Sequence, residues 1–288
     1  MYPMNLFAMF PPFPRKNTVF VAMSFEERFE QRWEKVIQPA IRRLVKNNVR
    51  LEPVRIDKRK ISDSIMTEIL LEISHSQFVL ADISSIGELN GKPIRNANVM
   101  YEVGLAQAVR LPEEVILLRS DDDELLFDVQ NIRVHKYSPE DDPKGAEKLI
   151  VELILESSKQ VQLAKSMAVN QVVEKLDYYT FAMLAKNMGK IIEQPVVRTM
   201  RDAISPNLGT FRRMLDLGLI RVRHHKMTKE FILEMTKDST APAEKIFDYE
   251  VTEFGKEVAE GCAMSFGLHE LPRSFMESLV ADEQQETK

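Results

Sequence analysis

The sequence predicts an α/β fold, a doubly wound parallel sheet with helices on both faces, followed by a smaller domain of helices and a two-stranded wing. Two observations carry this reading. Between Thr18 and Tyr137, short β-branched and aromatic runs alternate with stretches of helical apolar spacing, the pattern of strands joined by crossover helices. From about Asn170 the alternation gives way to three helical stretches and then two strands, the order of a winged helix-turn-helix.

Taken in order, Thr18 to Met23 reads as a strand covered on both faces, and Phe25 to about Lys46 as a helix that Pro39 should kink. Val49 to Ile56 is the second strand, and Ser62 caps a helix through His75. Gln77 to Asp82 is the third strand, Ser84 to Arg95 a polar loop, and Asn98 to Arg110 a helix capped by Asn98. Glu114 to Arg119 and Ile132 to Tyr137 complete five strands, and Gly145 to about Met167 is a long helix. Right-handed crossovers bring the strand-to-helix loops to one edge of such a sheet. The expected division is an arm over 1–17, the α/β domain over 18–143, a connecting helix over 144–168, the winged domain over 169–267 and a tail over 268–288. Within the winged domain, Gln171 to Met188, Pro195 to Arg201 and Asn207 to Gly218 are the helices, and Lys226 to Lys245 a long wing tip.

Composition sets bounds on function. With 288 residues, 44% of them apolar, the chain can bury full cores, and its length favours two domains. Charges make up 29% and are mixed in sign, as in folded globular proteins. A net charge of -5 argues against coating nucleic acid over the whole surface and leaves room for a local basic face. The lone Cys262 excludes an internal disulfide and fits a reducing, cytoplasmic setting, and the five histidines show no zinc-ligand spacing. No cofactor is expected. No apolar run is long enough for a membrane span, and Met1 to Phe10 lacks the basic start and cleavage site of a signal peptide. Phe7, Met9, Phe10 and Phe13 instead suit an arm that packs on its own domain or on another copy, in an oligomer or larger assembly.

Two acids stand out. Asp82 ends a central strand and Glu102 lies in the first turns of the next helix, so both belong to the edge where open parallel sheets bind ligands. Helix amides near Glu102 would keep it ionised. An ionised glutamate beside a ribose can attack or stabilise an oxocarbenium-like centre, the requirement for cleaving an N-glycosidic bond. Tyr101 and Asn98 can hydrogen-bond sugar hydroxyls. On spacing alone, an acid chosen for capping and an Asp ending a strand explain the pair equally well. The acidic loop Asp121 to Glu124 reads as a solvated helix start rather than an ion site.

In the second domain, eight basic residues lie between Arg198 and Lys229 against two acids. Arg198, Arg201, Arg221, Arg223 and Lys226 suit phosphate contacts, and Thr210, Arg212 and Arg213 are placed to reach base edges. A winged domain that only holds a protein partner is the competing reading.

The runs Phe20-Val21-Ala22-Met23-Ser24-Phe25, Arg55-Ile56-Asp57, Ala81-Asp82-Ile83 and Asn96 to Ala106, then Phe127-Asp128 with Arg133, occur in that order. They resemble the nucleoside 2-deoxyribosyltransferase-like domains, distant relatives of Toll/interleukin-1 receptor (TIR) domains. The resemblance covers roughly Thr18 to Tyr137, and Asn-x-Asn-Val-Met-Tyr-Glu is its most specific part. It implies a flavodoxin-like sheet and cleavage of NAD or of a nucleoside or nucleotide, by hydrolysis or by transfer. It also implies Glu102 as nucleophile or oxocarbenium stabiliser, with Asp82 and Asn98 on the sugar and Met23, Ser24 and Phe25 around the base. Arg55, Asp57, Tyr101 and Asp128 join the substrate-binding set on the same ground. Similar domains fused to a C-terminal winged helix occur in bacterial antiphage effectors, including toxins associated with retrons. Family members commonly have Pro where this chain has Ser24 and Ala97, and Leu where it has Val103, and the Ser84 to Arg95 loop is longer than usual, as a lid would be. Two readings compete with the enzyme: a catalytically inactive, nucleotide-sensing DNA-binding regulator, and a structural adaptor.

Overall fold

The computed structural model describes residues 10–11, 13–46, 49–56, 65–123, 133–189, 191–195, 206–223 and 245–267. The chain divides into two compact units, 1–164 and 165–288.

The first unit is built on a five-stranded parallel sheet of β1 (Lys16–Ala22), β4 (Glu52–Val54), β5 (Ser76–Asp82), β8 (Val115–Arg119) and β9 (Val134–Lys136), in the spatial order β4-β1-β5-β8-β9. Counted along the chain, these strands run 2-1-3-4-5, an order compatible with a flavodoxin-like sheet. Strand alternation divides the core. Val19, Val21, Phe78, Leu80, Ile116 and Leu118 face one layer, made by α1 (Glu27–Arg32), α2 (Gln38–Arg42) and α5 (Pro143–Val173). Phe20, Ala22, Val79, Ala81, Val115 and Leu117 face the other, made by α3 (Ile65–His75) and α4 (Ala97–Val109). Burial on both faces is why these strands read as continuous apolar runs.

Several elements depart from the sequence reading. The helix expected from Phe25 to Lys46 passes from α1 through a π turn (Trp33–Ile37) into α2, where Pro39 stands in the first turn. The π turn directly before Pro39 interrupts the regular α-helical hydrogen bonding where the proline lacks a donor. The second strand is split. Val49–Arg50 (β3) pairs back antiparallel on Val45–Lys46 (β2), and only β4 joins the sheet. Pro53 sits within β4, which an edge strand tolerates.

The loop from Ser84 to Arg95 is a β-hairpin of β6 (Ser85–Leu89) and β7 (Lys92–Arg95). Its turn is Asn90-Gly91, with φ of 53° and 72°. Positive φ at both central residues is the two-residue hairpin geometry that Asn-Gly favours.

In the second unit, Asp177 caps α6 (Tyr178–Lys186) by accepting from the Thr180 amide. The helix expected from Gln171 to Met188 is therefore two: α5 runs on to Val173, and the chain breaks before this cap. β10 (Ile191–Pro195), α7 (Pro206–Asp216), β11 (Ile220–Arg223), β12 (Lys245–Val251) and α8 (Glu253–Ser265) follow. The three strands form an antiparallel sheet in the order β10-β12-β11. β10 was not expected; Pro195 ends this strand rather than starting a helix. Gly218, at φ 71°, turns α7 towards β11, and Leu219 is fully buried after it. The expected short helix through Arg201 beyond Pro195, most of the wing tip and the tail lie outside the described residues. Buried Cys262 sits on α8, and burial pushes its thiol up to about 11, the environment of an inert core residue.

Candidate active site

The strand order reverses between β1 and β5, and it is outside the carboxyl ends of strands at such a switch point that open parallel sheets bind ligands. The two-residue period of β5 sends Asp82 to the α1 side, with Phe78 and Leu80. There its carboxylate accepts from Arg32 Nη1 at 2.9 Å and from the Tyr137 hydroxyl at 2.5 Å. Its other oxygen takes the Ser84 amide at 3.0 Å and the Ser84 hydroxyl at 2.5 Å. The acid has no side-chain exposure and Arg32 only 4%. Arg32 also donates to Ser84, Ser120 and Glu140, which ties the loops after β5, β8 and β9 to α1. Burial, and next the Asp82 carboxylate, raise the Tyr137 hydroxyl well above its ordinary range, so it remains a donor at neutral pH.

Glu102 belongs to the other layer. Asn96, not Asn98, caps α4: its side chain accepts from the amides of Asn98 at 3.0 Å and Val99 at 3.4 Å. Val99, Val103 and Ala106 bury one stripe of the helix. Glu102 falls in the second turn, one turn beyond Asn98 on the same side. It is half-buried and takes neither a hydrogen bond nor an ion pair among the described residues. Burial pushes its carboxyl up to about 7. This corrects the expectation of a firmly ionised group: the dipole fades beyond the first turn, and desolvation prevails.

The loop after β1 lies between these layers. Met23 and Ser24 are buried, and the Ser24 hydroxyl accepts from Asn96 Nδ2 at 3.4 Å, linking the end of β1 to the start of α4. Phe25 is 42% exposed, and the Arg55 guanidinium lies 4.7 Å from its ring centroid. Asn98 and Tyr101 are exposed on α4. Ser24, Asn98, Tyr101 and Glu102 are thus on or against α4, whereas Asp82 is not. Asp57 and Asp128 lie outside the described residues.

The hairpin above this edge is fastened at its base. Arg95 donates to the Ile83 carbonyl and to Asp121 at 2.9 Å, and the Ser85 amide donates to Asp121 at 2.7 Å. Burial works against the Asp121 charge, but the Arg95 hydrogen bond and charge together with the Ser85 and Asp123 amides outweigh it and hold the carboxyl below its ordinary value. The acidic loop thus anchors the hairpin. A cleft of about 360 Å³ opens on the α1 side, lined by Glu27, Arg28, Gln31, Arg32, Lys35, Pro139, Glu140 and Pro143; it does not include Glu102. Among the described residues, no group of His, Cys, Asp and Glu is placed to hold a metal ion, and no helix is long and apolar enough to cross a membrane.

Sequence reasoning missed Arg32, Tyr137, Ser84 and Ser120. Their one local signal is Arg32 itself, a charge beside Phe29 and Trp33 within an apolar helical stripe. In the second unit, Arg212 is 84% exposed, with Asp216 4.0 Å away. Arg213 is held by Asp177 at 2.9 Å and Arg221 by Glu250 at 2.6 Å. Thr210 is half-buried on α7, and the Arg223 backbone belongs to β11. Arg198, Arg201 and Lys226 lie outside the described residues.

No family model and no curated protein matches the chain. Among solved structures, part of it is similar to the metal-soaked flavodiiron core of Flv1 from Synechocystis sp. PCC6803, at 14% identity and a TM-score of 0.35. That similarity covers 50% of this chain and 36% of the other, and at this level it carries no argument about fold or activity.

Proposed function

We propose that the first unit cleaves an N-glycosidic bond in NAD or in a nucleoside or nucleotide, with Glu102 acting on the sugar. The observation that carries this reading is the state of Glu102: a half-buried carboxyl in the second turn of α4, free of partners among the described residues and pushed up to about 7. A structural acid at such a site is normally paired, as Asp82 is. An unpaired one near neutrality is suited to chemistry.

In the reaction, the ionised Glu102 faces C1′ of the sugar, and the C1′–N bond breaks with its electron pair leaving on the base. Water, or the base of a second nucleoside, then takes the sugar at C1′ and surrenders a proton; a departing nucleobase nitrogen gains one, whereas nicotinamide leaves NAD as a neutral molecule and the proton passes to solvent. Asn98 and Tyr101, on the same helix, are the candidate contacts to sugar hydroxyls. Asp82 serves by locking Arg32, Tyr137 and Ser84 at the carboxyl edge of the sheet. This changes its role from sugar ligand to positioning residue.

The second unit supports a winged helix reading, since a helix, a strand, a further helix and a hairpin build a sheet of order β10-β12-β11. On this reading α7 is the recognition helix, with Arg212 its most exposed cation, and the unit engages a nucleic acid or nucleoprotein that restrains or triggers cleavage. Control of this kind suits a toxin in antiphage defence, as the sequence resemblance implies. Metabolite profiles of cells producing the wild type and Glu102→Gln test the proposal. A nucleotide or NAD pool depleted only by the wild type supports it, and equal depletion by both removes Glu102 from the chemistry.

A further inference from the structure

Arg55 follows the edge strand β4 at the same carboxyl edge as Ser24 and Phe25, one strand spacing of about 5 Å outward from β1. Its side chain is only 9% exposed. The guanidinium lies 4.7 Å from the ring centroid of Phe25 and 4.9 Å from that of Trp33. Nη2 reaches Glu30 at 2.5 Å, but Nη1 is buried with no hydrogen-bond partner among the described residues. A buried donor without an acceptor costs about 1–3 kcal/mol, and more when it is charged. Half of this planar fork is therefore unmatched, and Glu30, which holds the other half, is itself 41% exposed.

We infer that Arg55 receives a phosphate group, whose paired oxygens match the two Nη donors as a fork. Glu30 holds the guanidinium in place until that anion arrives. The inference rests on the reading above in one respect: the phosphate belongs to the nucleoside on which Glu102 acts, which selects phosphorylated substrates over free nucleosides. Contacts run from Arg55 to Phe25, and from the neighbouring Ser24 to Asn96 at the head of α4, the helix that carries Glu102.

Trp33 is the single tryptophan of the chain, so its fluorescence reports from beside this guanidinium. The wild type is titrated with inorganic pyrophosphate at constant ionic strength. A saturable change is expected, weakened about tenfold or more in Arg55→Met, which keeps the apolar stem and removes the fork. Glu30→Gln, which removes the competing carboxylate, should tighten binding severalfold, and it decides the matter if Arg55→Met does not fold. No saturable change in the wild type, or unaltered binding in a folded Arg55→Met or in Glu30→Gln, overturns the site. Neither reading depends on turnover, so a protein that binds pyrophosphate here but cleaves nothing would refute the proposed reaction and leave the site standing. Where cleavage occurs, pyrophosphate should compete with substrate. A non-competitive pattern assigns the site to a free phosphate and overturns its place in the substrate.

Discussion

Asp82 and Arg32 form an ion pair of 2.9 Å in which the acid is wholly enclosed and the guanidinium nearly so. Because Tyr137 and Ser84 complete the acid's hydrogen bonds, the pair is satisfied without a ligand. Breaking a buried pair leaves an uncompensated charge, at a cost of about 3–5 kcal/mol. Asp82→Ala and Arg32→Met should each destabilise the first unit by that order, and the double variant by much less than their sum. Thermal or denaturant unfolding of the three proteins checks this. Additive losses would mean that the two groups do not depend on each other.

Tyr137→Phe removes one hydrogen bond from the same acid, and unfolding should register a loss of about 1–3 kcal/mol. Any fall in turnover should follow through loop positions, so rate and substrate affinity should both change, whereas Glu102→Gln should act on rate.

Burial of Glu102 has a signature in stability. Burial pushes the folded carboxyl up to about 7 from the ordinary 4.5 of a glutamate, so the folded state holds the proton longer than the unfolded chain does. The fold is unpenalised below about pH 4.5 and loses stability as pH rises from there to about 7, by at most about 3 kcal/mol. Glu102→Gln lacks the charge. It should match the wild type near pH 4 and exceed it in unfolding free energy at pH 8, and a constant difference across this range would contradict the burial of the acid.

The division between Asp82 and Glu102 was only half legible in the sequence. Both acids were readable as belonging to the carboxyl edge, since continuous apolar strands and helical spacing define the order of elements. Their separation follows from strand parity and from a partner 50 residues away, Arg32, which no local spacing marks. The cap of α4 went to Asn98 instead of Asn96 because either side chain can reach amides two and three residues on. Extended backbone at Asn96, where β7 ends, decides it. Asn90-Gly91 did announce a hairpin, but the polar residues around it read as a loop. β10 escaped notice because its pairing with β12 lies more than fifty residues downstream.

That assignment of the cap is separable by mutation. Asn96→Ala should cost about 1 kcal/mol through the lost cap, while Asn98→Ala should leave stability within a few tenths. Unfolding curves of the pair distinguish them, and the reverse order would restore Asn98 as the cap.

Arg212 offers the cleanest probe of the second unit, since Arg213 and Arg221 are already held by Asp177 and Glu250. If α7 meets phosphates, Arg212→Ala should weaken nucleic-acid binding across sequences and lower the salt slope by about 1. Filter or fluorescence binding over a salt series measures it. An unchanged slope would favour a protein partner.

The most direct measurement is the rate of base release by the purified chain from NAD, nucleosides and nucleoside phosphates, followed against pH. The account predicts release by the wild type that rises as pH passes through about 7, where Glu102 ionises, and a loss of about a hundredfold or more in Glu102→Gln above that pH, narrowing as the wild-type acid is protonated below it. Release by Glu102→Gln at the wild-type rate, with the same pH profile, would contradict it.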